Sequence, residues 1–140
     1  MYAFTYERPA TIQEASQQVA NGAQALAGGQ TMLAAMKQRL MQPEKLVDLS
    51  QIKALHGIKK DGNTLVIGAM CTHQTVETNA DVKTNIPALA ALAGGIGDRQ
   101  VRAMGTIGGS VANNDPAACY PSAVLALDAI IHTNQRTIKA

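Results

Sequence analysis

The spacing of apolar residues in the first fifty positions predicts a unit of alternating helices and strands. Thr11-Ile12-Gln13-Glu14 is typical of a helix start, because Thr and Glu at this spacing satisfy free amides of the first turn. We expect this helix to end at Asn21-Gly22. The apolar residues from Met32 to Leu40 recur at helical spacing and predict a second helix, which Pro43 ends. Short apolar or alternating runs predict strands at 25–27 and 45–49.

The pattern of apolar residues changes at about residue 55. Asp61-Gly62-Asn63 separates two apolar runs and indicates a hairpin. Helices are predicted to begin at Thr72, at Pro87 and at Pro121, and proline suits the first turn of a helix. A last hairpin is predicted around Asn134-Gln135, and its final strand has no cap or polar tail. We therefore expect the chain to be cut inside a larger fold.

The composition narrows the class of protein. The 140 residues are 46% hydrophobic and 16% charged with a net charge of +2, which argues against a disordered chain and against a nucleic-acid binder. No run of about 18 apolar residues is long enough to span a membrane, and the N-terminus lacks a secretory signal. Cys71 and Cys119 are too few for a disulfide scaffold, so we expect a cytoplasmic location. The predicted domains are residues 1–54 and 55–140.

Two glycine pairs are the first indication of function. Ala27-Gly28-Gly29-Gln30-Thr31 joins a predicted strand to a predicted helix, where free amides favour a bound anion and Thr31 can cap the helix. Thr106-Ile107-Gly108-Gly109-Ser110 places two glycines between hydroxyl side chains in a segment that we expect to be extended, with free amides that form an anion-binding concavity. A tight turn is the better explanation of the first pair alone, and two unrelated bends are the alternative for both, but the two pairs together favour a ligand with two phosphates held between two lobes.

Other catalytic and binding motifs are absent. The run from Gly95 to Gln100 lacks the third small residue of the dinucleotide fingerprint, and no phosphate-binding P-loop occurs. Cys71 and His73 have no second ligand pair for a metal, so a buried thiol beside a surface histidine is the simpler interpretation. Arg99 and Arg102 either steer a phosphate or are solvated. We expect no catalytic residue and no metal site.

Residues 27–31 and 96–110 resemble the FAD-binding medium subunit of molybdenum hydroxylases, the carbon monoxide dehydrogenase and xanthine dehydrogenase family. Residues 112–118 and Tyr120-Pro121 extend the resemblance, which covers essentially the whole chain. It implies an α+β fold of the vanillyl-alcohol-oxidase type, in which a small N-terminal α/β lobe and a larger α+β lobe clasp FAD. The family's subunit continues well past residue 140, so we expect a second lobe truncated at its C-terminus.

The resemblance also implies a set of cofactor-binding residues. Residues 27–31 are expected to hold the pyrophosphate, with residues 106–110 closing on it from the second lobe. Where the family often has an aspartate for the ribose hydroxyls this chain has Cys119, and Asp115 is expected to compensate. The full expected set is Leu26, Ala27, Gly28, Gly29, Gln30, Thr31, Met32, Leu33, Ile96, Gly97, Thr106, Ile107, Gly108, Gly109, Ser110 and Asp115.

The function implied by the resemblance is electron transfer. Electrons pass from iron–sulfur clusters on a small subunit through FAD to an external acceptor, while substrate is oxidised at the molybdopterin cofactor of a large subunit. The expected assembly is thus a hetero-oligomer, in which the flavin carries the redox chemistry. Two alternatives stay open: a stand-alone flavin oxidoreductase of the same superfamily, and a non-catalytic nucleotide-binding or assembly module.

Overall fold

A computed structural model describes all the residues from Met1 to Ala140 as an α+β protein with three separate sheets. The strands are β1 (Thr5–Glu7), β2 (Gln24–Leu26), β3 (Lys45–Asp48), β4 (Ile58–Asp61), β5 (Thr64–Ile67), β6 (Ile130–His132) and β7 (Thr137–Lys139). The helices are α1 (Ile12–Ala20), α2 (Met32–Lys37), α3 (His73–Thr78), α4 (Ala80–Asn85), α5 (Pro87–Gly94), α6 (Arg99–Met104), α7 (Ile107–Asn113) and α8 (Cys119–Ala126). The predicted α+β class is therefore confirmed. None of these helices is both long and apolar enough to cross a membrane.

The N-terminal region is built on a parallel sheet of order β1-β3-β2. β3 is the central strand and carries the buried residues Leu46 and Val47, as expected for a strand with neighbours on both sides. The register places Leu26 opposite Asp48 and Glu7 opposite Val47, so the three strands end at the same edge. In open parallel sheets this carboxyl edge is where ligands bind.

The sequence predicts both ends of α1 correctly but not the end of α2. α1 begins as predicted, because Glu14 N–H donates to Thr11 Oγ1 at 3.2 Å, and it ends at the C-cap Asn21. The prediction that Pro43 ends the second helix is wrong. α2 stops at Lys37 because Arg39 adopts a left-handed conformation (φ +61°) and Leu40 N–H bonds back to Ala35 O at 2.9 Å.

The second region has its own hydrophobic core. Both hairpins, β4–β5 and β6–β7, form at the predicted positions, and Pro87 occupies the first turn of α5. β1, α4 and α6 were not predicted from the sequence. The expectation that residues 106–110 are extended is wrong, because Thr106 is the N-cap of α7. The buried members of this core are Cys71, Val76, Val82, Leu89, Ala90, Ala93 and Tyr120.

The cores of the two regions are separate. Ala15, Ala23, Val47 and Ile52 form one small cluster in the N-terminal region, and Leu26, Met36 and Leu46 form another. A hydrogen bond joins the regions at Ser16 Oγ, which accepts from Asn134 Nδ2 at 3.1 Å. A boundary near residue 54 remains a prediction.

Candidate functional site

The first bend, residues 27–31, lies at the carboxyl edge of the parallel sheet. Gly29 has φ +71°, a left-handed conformation that residues with a side chain rarely adopt. Because glycine has no Cβ, the chain turns here without strain. Gln30 Nε2 donates to Gly28 O at 3.0 Å, and Leu33 N–H donates to Gly29 O at 2.9 Å. These bonds hold the two glycine carbonyls on the protein side of the bend.

The amides of the first bend are free. None of the N–H groups of Gly28, Gly29, Gln30 and Thr31 donates a hydrogen bond within the chain. Successive unpaired amides form a concave donor surface that suits an anion with several oxygens, and a diphosphate is such an anion. The first bend therefore fits a diphosphate group by the chemistry of its donors.

An apolar layer supports the first bend from below. A Cβ on Gly29 would lie 2.8 Å from Leu33 Cδ1 and 3.3 Å from Leu26 Cδ1. Leu26 is buried, and Met32 and Leu33 are half-buried against the cluster around Met36. These three residues from the predicted site thus hold the bend on the sheet through their side chains.

The second bend, residues 104–110, packs directly on the first. A Cβ on Gly28 would lie 2.1 Å from Met104 O and 2.7 Å from Gly105 Cα, so only glycine permits this approach. A Cβ on Gly109 would lie 3.5 Å from Ala27 Cβ. The two glycine segments that stand out in the sequence are therefore neighbours in space, one from each region of the chain.

The amides from Ile107 to Ser110 in the second bend are not free, which corrects the expectation from the sequence. Ile107 N–H donates to Cys71 O at 3.0 Å, and Gly108 N–H donates to Ala69 O at 2.9 Å. Gly109 N–H donates to Thr106 Oγ1 at 3.1 Å, and Ser110 N–H donates to Thr106 O at 3.0 Å. Because Thr106 caps α7, the first turn of that helix has no amide left for a ligand.

The hydroxyl groups of the two bends also differ. Thr31 has helical backbone angles and makes no capping bond, so the prediction that it caps α2 is wrong. Its exposed side chain is consequently available to a ligand. Thr106 is buried and its hydroxyl is used in capping, whereas Ser110 is half-buried and its hydroxyl has no partner in the chain.

The remaining predicted site residues lie away from this junction. Ile96 and Gly97 precede α6, whereas Met104 ends it, so roughly 9 Å of helix separates them. Arg102 Nη1 donates to Gly97 O at 3.0 Å and to Ile96 O at 3.3 Å, and Arg102 Nε lies 3.3 Å from Glu77 Oε2. These contacts fix the 96–97 loop.

Asp115 is exposed at the far end of α7, in the turn before α8. Its Oδ1 accepts from Ala117 N–H at 2.8 Å, and its backbone carbonyl accepts from Ala118 N–H at 2.9 Å. Asp115 therefore shapes the 115–118 turn, and no hydrogen bond or ion pair joins it to either bend.

Asp48 is a residue of this edge that the sequence analysis did not select. It accepts hydrogen bonds from Tyr6 Oη and from Ser50 N–H, the latter at 2.8 Å, and its Oδ2 lies 3.3 Å from Arg8 Nε. Burial alone raises the pKa of Asp48, but the hydrogen bonds from Tyr6 and Ser50 and the Arg8 charge together hold it below its ordinary value. The hydrogen bond to Asp48 in turn raises the pKa of Tyr6. Asp48 could have been selected from the sequence by its position, because it is a carboxylate directly after the apolar pair Leu46-Val47 of a predicted strand.

His73 is buried, contrary to the expectation of a surface histidine. Its side chain lies beside the buried ring of Tyr120, with 5.4 Å between ring centroids. Burial lowers the pKa of His73 and raises the pKa values of Tyr120 and Cys71. No group of three or more His, Cys, Asp and Glu side chains is arranged to hold a metal ion.

Comparison with known proteins identifies the family of the chain. Residues 2–140 match the family described as FAD binding domain in molybdopterin dehydrogenase. The carbon monoxide dehydrogenase medium chain of Hydrogenophaga pseudoflava is 40% identical over 129 residues, which are 90% of this chain and 45% of that protein. The glyceraldehyde dehydrogenase medium chain of Sulfolobus acidocaldarius is 34% identical over 143 residues, which are 98% of this chain and 51% of that protein.

Solved structures of molybdenum-containing dehydrogenases also match this chain. A carbon monoxide dehydrogenase from Hydrogenophaga pseudoflava that lacks the Mo-pyranopterin moiety superposes with a TM-score of 0.94 at 36% identity, over 99% of this chain and 50% of that chain. The chain spans about half the length of the curated relatives it matches. The match over nearly all its residues shows that the chain belongs to the family of FAD binding domains in molybdopterin dehydrogenases.

Proposed function

We propose that this chain binds FAD for electron transfer within a molybdenum-containing dehydrogenase or hydroxylase. Bound FAD supplies the redox chemistry, accepting electrons and passing them to an external acceptor. The residues of the chain bind the cofactor and orient it, and none of them needs to act as a general acid, base or nucleophile. The support comes from family membership and from the donor chemistry of the first bend.

The observation that carries the proposal is the row of free amides from Gly28 to Thr31. A diphosphate placed against the first bend receives N–H donors without the loss of any bond that holds the protein together. The close contact of Gly28 with Met104 O fixes the bend, so the donors are set before the cofactor arrives. Thr31 Oγ1 and Ser110 Oγ add free hydroxyls near the two bends.

The other predicted residues take supporting parts in the proposed site. Leu26, Met32 and Leu33 form the layer beneath the first bend, and Met104, Gly105 and Gly109 of the second bend pack against it. The loop of Ile96 and Gly97 and the turn of Asp115 are proposed for the flavin or adenosine portions of FAD, on the strength of the family resemblance.

The proposed partners follow from the relatives, which are medium chains of dehydrogenase complexes. We expect a small iron–sulfur subunit that delivers electrons and a large molybdopterin subunit where substrate is oxidised. A cytoplasmic location is proposed because both cysteines are unpaired thiols, and disulfides are rare in reducing compartments.

Nucleotide competition on the purified protein, with whatever subunits accompany it, tests the role of the first bend. FAD binding is followed by quenching of flavin fluorescence, and ADP and riboflavin are then added as competitors. If the amides hold the diphosphate, ADP displaces FAD while riboflavin, which has no phosphate, is a poor competitor. Riboflavin binding as tightly as FAD would contradict the assignment, and absence of flavin binding would overturn the proposed function.

A further inference from the structure

Gly105 lies between the first bend and a buried imidazole. On one side its Cα would be 2.7 Å from a Cβ on Gly28. On the other side, a Cβ on Gly105 would lie 2.6 Å from Nε2 of His73 and 2.9 Å from its Cδ2. Because neither glycine has a side chain, the ring, the Gly105 backbone and the Gly28 backbone are stacked in contact.

The backbone and the ring of His73 are each held by a contact. Its N–H donates to Gly105 O at 2.9 Å, which ties the start of α3 to the second bend. Its ring packs beside Tyr120, whose side chain is fully buried. The Gly105 amide is fixed separately, since it donates to Val101 O at 2.7 Å. The imidazole therefore packs against the Cα of Gly105, whose amide and carbonyl are both hydrogen-bonded.

Polarity distinguishes His73 from an ordinary core residue. His73 Nδ1 and Tyr120 Oη are buried and have no hydrogen-bond partner in the chain. Buried polar atoms without partners are rare in folded proteins and call for an explanation. An apolar residue would avoid this cost, so the stability of the core does not by itself account for a histidine at this position.

We propose that His73 is a positioning residue for the cofactor: its ring holds Gly105 against Gly28 and so fixes the aim of the free amides in the first bend. This inference rests on the proposed function, since it concerns the same site. His73 touches no part of the cofactor in this scheme and acts only through the second bend.

A matched pair of variants tests the proposal. Gln places its amide where Nε2 lies and still reaches Gly105, whereas Asn is too short to do so. FAD affinity and melting temperature are measured for wild type, His73→Gln, His73→Asn and the control His132→Asn, whose histidine is exposed on β6. Visible circular dichroism of the bound flavin reports the cofactor's orientation.

The expected result separates positioning from stability. His73→Asn should weaken FAD binding by about tenfold and alter the flavin dichroism, on the scale seen when supporting groups of a binding site are lost. His73→Gln should restore both towards wild type, and His132→Asn should change neither. The positioning role is wrong if both variants bind FAD as tightly as wild type. It is also wrong if both variants lose FAD affinity equally and in proportion to their loss of melting temperature. In either case the proposed function stands. If wild type binds no FAD, the proposed function itself fails.

Discussion

The amides from Gly28 to Thr31 donate to no oxygen of the chain, whereas those from Ile107 to Ser110 are all bonded to oxygens of the same protein. In the first bend, glycine allows a positive φ at Gly29 and a close approach at Gly28. In the second bend, Gly105 and Gly108 serve only close packing, against His73 and Ala69. One diglycine pattern thus has two physical roles: it presents donors in one bend and provides a surface to pack on in the other.

Removing one glycine from each bend should separate these roles, with the largest effects of the set. A Cβ at Gly28 would meet Met104 O at 2.1 Å, and one at Gly108 would meet Ala69 Cβ at 2.5 Å. Gly28→Ala and Gly108→Ala should therefore each lower the free energy of unfolding by about 1–3 kcal/mol, the cost of overpacking. Only Gly28→Ala should also weaken FAD binding by folded protein, by about tenfold (1.4 kcal/mol). Urea denaturation and flavin titration measure the two quantities.

Gly95→Ala is the control for that pair. A Cβ there would lie 3.5 Å from Leu92 O, an ordinary contact, and the backbone angle is compatible with alanine. It should leave both stability and FAD affinity near wild type. Equal loss of affinity in Gly28→Ala and Gly108→Ala would show that the two bends do not differ in the way described.

Asp48 belongs to the same edge of the sheet as the first bend, because it lies opposite Leu26 in the register of β2 and β3. The folded protein holds the pKa of Asp48 below its ordinary value. Asp48 thus stabilises the fold above the unfolded pKa of about 3.9, and this contribution is lost as the pH falls through the folded value. At neutral pH, Asp48→Asn should lower the free energy of unfolding by about 1–3 kcal/mol, the cost of disturbing buried hydrogen bonds.

The gap in stability between wild type and Asp48→Asn should narrow as the pH is lowered below about 4, because the carboxyl of Asp48 is then protonated first in the unfolded protein and, below its lower folded pKa, in the folded protein as well. Melting temperatures recorded at several pH values between roughly 3 and 7 measure this. A gap independent of pH would mean that the ionised form of Asp48 contributes nothing to stability.

The threonines at the start of α2 and α7 give the smallest effects. Thr106 caps α7 through its side chain, whereas Thr31 makes no capping bond. Thr106→Ala should lower the free energy of unfolding by about 1 kcal/mol. Thr31→Ala should leave stability unchanged and weaken FAD binding about threefold, as for one lost hydroxyl hydrogen bond. A stability loss in Thr31→Ala would show that its hydroxyl supports the fold after all.

Local signals in the sequence predicted much of the fold. The Thr11 cap, the hairpin around Gly62 and the proline of α5 each depend on short-range chemistry that a few residues define. α6 escaped prediction because it is short and lacks an apolar stripe, although Asp98 Oδ1 caps it by accepting from Val101 N–H at 2.8 Å.

The candidate site was predictable only in part. Gly28 and Gly29 could be selected, because a diglycine between a strand and a helix has a known donor chemistry. The burial of His73 could not be inferred, because neighbouring polar residues of α3 such as Gln74 are exposed and it is the packing of distant Tyr120 that covers the ring. The hydrogen bonds of the Ile107 and Gly108 amides could not be predicted either, because their acceptors, the carbonyl oxygens of Cys71 and Ala69, are distant in the sequence.

The order of strands in the parallel sheet has a consequence for synthesis. β3 is central, yet the ribosome makes it after β1 and β2, which pair with it and not with each other. Neither outer strand has a hydrogen-bonding neighbour until Asp48 has been translated, and such distant pairings form slowly. The nascent chain can therefore complete the parallel sheet only after residues 45–48 have emerged from the exit tunnel, and it can pack the first bend on the second only after residues 104–105 have followed.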